Sequence, residues 1–171
     1  MKRKLPDLNS PKLDIDEQKV VDNIRDHGCH VMWIFDDKGD HPDFSYSIGF
    51  PATIGQPEVI VFGLKRELMH SMVNNVREQC TEGLRLNDWT KISGLLEGYD
   101  VIARTINDDD AISEHLGWAI WYHSAQRGEQ VQQAYQLVWP GSADGLFPWD
   151  AGCAEDVIAL QPALYQTRLN S

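Results

Sequence analysis

Positive charge is scarce in this chain. Fifteen Lys and Arg stand against twenty-six Asp and Glu, for a formal charge of −11 and an isoelectric point near 4.8. Apart from Met1-Lys-Arg-Lys4 the cations are dispersed, so no basic patch offsets the repulsion of a phosphate backbone and no nucleic-acid partner is expected. The same field would attract a basic protein and speed the encounter. Cysteine is equally sparse: Cys29, Cys80 and Cys153 are three in number and far apart. They predict no disulfide framework, and reduced thiols fit a cytoplasmic location. Long apolar runs are lacking too. No stretch approaches the roughly 20 residues a membrane-spanning helix needs, so no membrane association is expected. Leu5-Pro-Asp-Leu-Asn-Ser10 occupies the place where the apolar core of a secretion signal would follow the basic start.

Familiar chemical signatures are missing as well. The glycine-bounded loop Gly49-Phe-Pro-Ala-Thr-Ile-Gly55 has no Gly-Lys-Ser/Thr to cradle phosphate. No dinucleotide fingerprint follows a strand, and there is no Gly-x-Ser-x-Gly nucleophile elbow. His27-Gly-Cys-His30 is the one compact His/Cys cluster, but it spans an expected helix end and strand start, with no second pair at zinc-site spacing. Asp36-Asp-Lys-Gly-Asp40 has Lys38 where a calcium loop needs an oxygen ligand, and Ser47 where it needs a bidentate Glu. The expectation is therefore no metal and no cofactor. His41, His70, His115 and His123 stand alone in the sequence.

What is present is a readable succession of elements. Residues 1 to about 13, with Pro6 and Pro11, predict a flexible lead-in; residues 14–171 are expected to form a single globular domain. Asp14 and Glu17 have capping-box spacing ahead of Val20, Val21 and Ile24, and Gly28 closes that helix. Cys29 to Phe35 and Phe44 to Ile48 read as a hairpin around the Asp36 to Asp40 turn. Glu58 to Leu64 is almost continuously apolar, as expected of a central strand covered on both faces. Leu68, Met69, Met72, Val73 and Val76 then mark an amphipathic helix ending near Gly83. Asp100 to Ile106 reads as a strand, Asp108 to Asp110 as the cap of a helix running from Ala111 to about His123, and Tyr135 to Trp139 as a late strand. The fold class is α+β: a mostly antiparallel sheet, with barrel-like closure left open, and two or three packed helices.

The segments Phe44-Ser-Tyr-Ser-Ile-Gly-Phe50, Gln56-Pro-Glu-Val-Ile-Val-Phe-Gly-Leu64, Tyr135-Gln-Leu-Val-Trp-Pro140 and Gly145-Leu-Phe-Pro-Trp149 occur in one order without a large insertion. With them the chain resembles the bacterial family catalogued as domain of unknown function 4262, from about Asp26 to Tyr165. The resemblance implies shared architecture and carries over no mechanism. The family usually reads Tyr-Thr-Ile-Gly-Leu and His-Pro-Glu-Leu, where this chain has Tyr46-Ser-Ile-Gly-Phe50 and Gln56-Pro-Glu-Val59. Gln56 thus replaces an imidazole that could move a proton near neutral pH.

Six tryptophans are many for this length, and four of them, Trp118, Trp121, Trp139 and Trp149, fall in the carboxy-terminal third. Most such aromatics fill core. Those beside prolines, in Trp139-Pro140 and Phe147-Pro-Trp149, sit at rigid loop edges suited to presenting a surface. His41, Tyr46, Glu58, Trp139, Phe147 and Trp149 form the candidate binding surface. The charge and the missing catalytic signatures point to a non-catalytic protein-binding domain, of which an immunity or antitoxin factor against a basic toxin is one form. The alternative is a small-molecule binder or metal-independent enzyme, with a pocket near Tyr46, Glu58 and Trp139 and with Glu58, Tyr46 and His41 available for acid/base chemistry.

Overall fold

A computed structural model describes residues 12–167, so most of the expected lead-in lies outside the described residues. Helix α1 (Ile15–His27) opens with the capping box read from the sequence: Asp14 accepts from Glu17 N–H, and the Glu17 carboxylate accepts from Asp14 N–H. It ends at Gly28, whose φ of 88° gives the left-handed cap. Strands β1 (His30–Ile34) and β2 (Phe44–Ile48) pair antiparallel as the expected hairpin. Asp36 organises the turn by accepting from the backbone N–H groups of Lys38, Asp40 and His41. A short helix, α2 (Phe50–Thr53), interrupts the glycine-bounded loop before β3 (Glu58–Phe62).

Helix α3 (Arg66–Thr81) follows, then the antiparallel pair β4 (Thr90–Leu96) and β5 (Tyr99–Ile106). The expected helix from Ala111 to His123 is divided. Leu116, at φ −110° and ψ 35°, separates α4 (Asp109–His115) from α5 (Gly117–Trp121), and α5 runs into a π-helical turn, Tyr122–Gln126. Asp108 caps α4 as expected, accepting from Asp110 and Ala111 N–H. Strand β6 (Ala134–Val138) and the short α6 (Glu155–Ala159) complete the elements.

The six strands form one sheet in the order β1-β2-β3-β6-β5-β4, antiparallel throughout except for the parallel β3–β6 pair at its centre. The sheet is open, with β1 and β4 as its two edges, and is not a barrel. Closure is unnecessary because helices cover both faces. Val59 and Val61 of β3 pack with Met69, Met72, Val73 and Val76 of α3. Ile60 and Phe62 point the other way, into a second core built with Val20 and Ile24 of α1 and with Ile112 and Trp118 of α4 and α5. All five β3 residues are buried, which explains an apolar run rather than an alternating one.

Candidate functional site

Four residues of the motif stretch are wired together at the start of β3. Glu58 is wholly buried, and its carboxylate accepts four hydrogen bonds. Ser47 Oγ–H and Phe50 N–H reach Oε1 at 2.7 and 3.0 Å; Gly49 N–H and His123 Nε2 reach Oε2, both at 2.7 Å. Local backbone shape makes this possible. Gly49 caps α2 at φ 114°, and a Cβ there would stand 3.0 Å from the Ile24 side chain, so only glycine turns the chain this way beneath α1. The turn aims two successive N–H groups at the carboxylate. Ser47 is bound from both sides, since its oxygen also accepts from Val59 N–H at 2.9 Å. The family's usual Thr at this position would supply the same hydroxyl.

His123 comes from the π-helical turn. It is buried there, while its neighbour Tyr122 stays partly exposed; such wider turns recur at functional sites. Because Glu58 Oε2 is an acceptor, Nε2 is the nitrogen that carries the proton in this pair. The other ring nitrogen, Nδ1, is buried with no hydrogen-bond partner among the described residues. Glu58 and His123 both line a pocket of about 310 Å³, closed by Pro51, Gly55 and Gln56 on one side and by the Glu129 to Gln133 segment on the other. Gln56 is on this wall, where its Oε1 accepts from Leu86 N–H at 3.0 Å. At this position the chain places an amide beside His123, a group that hydrogen-bonds but does not transfer a proton.

The other residues expected at a site lie apart. Tyr46 is buried in the second core, and its hydroxyl accepts from Trp118 N–H at 3.0 Å in the first turn of α5. Trp139 is buried, donating its indole N–H to Phe62 O at 2.8 Å, while Gln161 pairs with both its backbone N–H and its C=O. His41 is exposed on the β1–β2 turn. Phe147 and Trp149 do come together, stacked at 5.1 Å and 2°. Trp149 meets Trp89 edge-on at 5.0 Å, and this cluster encloses the buried guanidinium of Arg104, which is held by Asp88 and lies 3.7 Å from the Trp89 ring.

Among the described residues no three His, Cys, Asp or Glu side chains gather as a metal-holding group. Nor, among those residues, is any helix long and apolar enough to cross a membrane. Sequence reasoning singled out Glu58 but left His123 as a solitary histidine. The pair is 65 residues apart, and no local pattern joins them.

No curated protein and no solved structure matches the chain significantly. A family model does match, over residues 23–154, which include Ser47, Gly49, Glu58 and His123. The chain belongs to the family described as Domain of unknown function (DUF4262).

Proposed function

We infer that this domain acts on a small molecule held against the Glu58–His123 pair, with His123 as the proton-transfer group and Glu58 as its positioning residue. The observation that supports this is the buried carboxylate–imidazole contact at 2.7 Å on the wall of a pocket, with the second ring nitrogen unpaired among the described residues. A carboxylate held by three further donors fixes the orientation of the imidazole, and Nδ1 is the ring nitrogen left without a partner among the described residues. The pocket lining is mostly apolar, with the amides of Gln56, Gln130, Gln132 and Gln133 among it, so the ligand is expected to combine an apolar body with a few hydrogen-bonding groups.

The test is incubation of the purified protein with a cellular small-molecule extract, read by mass spectrometry. At least one compound should be retained or converted in the presence of chelator, and conversion should fall at least about tenfold in His123→Gln. That variant keeps an N–H for Glu58 and removes the free ring nitrogen. Failure of the wild-type protein to retain or convert anything, or undiminished conversion by His123→Gln, would sink the reading.

A second reading, capture of a basic protein partner by the acidic surface, is supported by Trp89. It is 44% exposed, has φ 71°, and is fixed between Arg104 and Trp149, a rigid aromatic of the kind that anchors interfaces. An immunity or antitoxin role is one form of that reading. A partner captured this way should associate more slowly as salt shortens the Debye length from about 30 to 10 Å. Trp149→Ala should speed its dissociation by about 30-fold, on the order of 2 kcal/mol. Salt-independent association, or dissociation unchanged in a folded Trp149→Ala, would count against it.

A further inference from the structure

A second, larger cleft of about 730 Å³ runs along the outer edge of β1, between α1 and α3. Its walls are polar stripes at helical spacing. Lys19, Asn23 and His27 come from α1, and Arg66, His70, Asn74 and Arg77 from α3. Trp33 and Ser45 are directly opposed on β1 and β2, so their side chains share the face that α3 covers.

Three polar atoms here are buried and have no hydrogen-bond partner among the described residues: Ser45 Oγ, Trp33 Nε1 and Arg77 Nε. Ser45 is only 1% exposed. Two of the three are obligate donors and the third can donate. A buried donor left unpaired carries an uncompensated desolvation penalty, which acceptor oxygens from a ligand would remove. The charge agrees in sign. Lys19, Arg66 and Arg77 outnumber Asp16 and Glu78 on the lining, a local excess of cations in a chain of net charge −11.

The cleft is also built to keep its cations forward. Arg66 lies 4.4 Å from the centre of the Trp33 ring. Arg77 crosses Gly28, where a Cβ would approach its Cδ to 3.3 Å. Cys29 places no thiolate there: burial first, with Glu58 adding, pushes its thiol up to about 11 against the pull of Arg77, and Sγ–H faces Asn74 Oδ1 at 3.6 Å.

We propose that this cleft binds a small organic anion, its phosphate or carboxylate group taken by Arg66, which lies over the Trp33 ring, with Trp33 Nε1 and the neighbouring Ser45 Oγ. Guanidinium pairs oxyanions through parallel hydrogen bonds, and the neighbouring ring of Trp33 offers an apolar wall for the rest of the ligand. The site stands on different residues from the Glu58–His123 pocket, and neither depends on the other.

Titration with inorganic phosphate and, separately, succinate tests it, each against chloride at equal ionic strength. The readouts are the Trp33 indole N–H resonance and the melting temperature. A saturable shift of that resonance, with a rise in melting temperature, is expected for at least one oxyanion. Phosphate alone would assign a phosphorylated ligand and succinate alone a carboxylated one. Arg66→Met should weaken binding at least about tenfold. Ser45→Ala should weaken it too, yet leave the unliganded melting temperature unchanged or raised, because it deletes an unpaired hydroxyl; this variant decides the matter if Arg66→Met does not fold. An equal response to chloride, no saturable response to either oxyanion, or undiminished binding by the folded variants would overturn the proposal.

Discussion

Val61→Asp is expected to yield no soluble, cooperatively folding protein. Val61 is wholly buried in β3 and packs with α3. A carboxylate there has no partner and no route to water, and an unpaired buried charge costs several kcal/mol. That is comparable with the whole stability of a domain, about 5–15 kcal/mol. Neutral truncation by Val61→Ala should be milder, about 1–3 kcal/mol, since it removes methyl groups and leaves a small cavity. Circular dichroism and thermal melting of the soluble fraction check both. Near-wild-type melting of Val61→Asp would mean that β3 is not the covered central strand.

Glu58→Ala is expected to lower stability by about 3–5 kcal/mol, more than its volume accounts for. The substitution strands Ser47 Oγ–H, Gly49 N–H, Phe50 N–H and His123 Nε2–H, all of which converge on the carboxylate. Buried donors that lose their acceptor forfeit their full desolvation free energy, and removing one member of a buried network is worse than replacing the whole. Glu58→Gln should also destabilise, because one end of the amide presents N–H groups to other donors. Ser47→Ala, which removes one donor but also the acceptor for Val59 N–H, should cost about 1–2 kcal/mol. Urea unfolding with unchanged slope is the measurement. A Glu58→Ala midpoint matching that of Ser47→Ala would show that the network is not cooperative and that Glu58 does little to hold the β2–α2 turn.

Where elements carry a strong local pattern, sequence reasoning reached them. The capping box at Asp14 and Glu17, the Gly28 cap, the apolar face of α3 and the continuous run of β3 each follow from interactions a few residues apart. Strand β4 escaped because its alternation is broken. Only Ile92 and Leu95 are buried, and Gly94, at φ 85°, falls in the register shift between Ile92 and Leu96. The division of the helix at Leu116 escaped for a related reason: the periodicity of buried residues continues across it, while the backbone does not. Short α2 and α6 have too few residues to show a period.

For the candidate sites the boundary follows from the reach of each interaction. Composition, spacing and short-range hydrogen bonding were enough to reach the α+β class, the family resemblance, the helix caps and the two-sided burial of β3. The sequence also contained the Arg66, His70 and Asn74 stripe of α3, as residues four apart on one helix. Long-range packing set β6 parallel to β3, left the sheet open and placed Tyr46 and Trp139 in the interior. The same packing brought His123 to Glu58 and set Ser45 beside Trp33, with Arg66 over its ring. Those contacts join residues far apart in the chain, and packing of helices on both faces of the sheet, rather than any local preference, selects which of them meet.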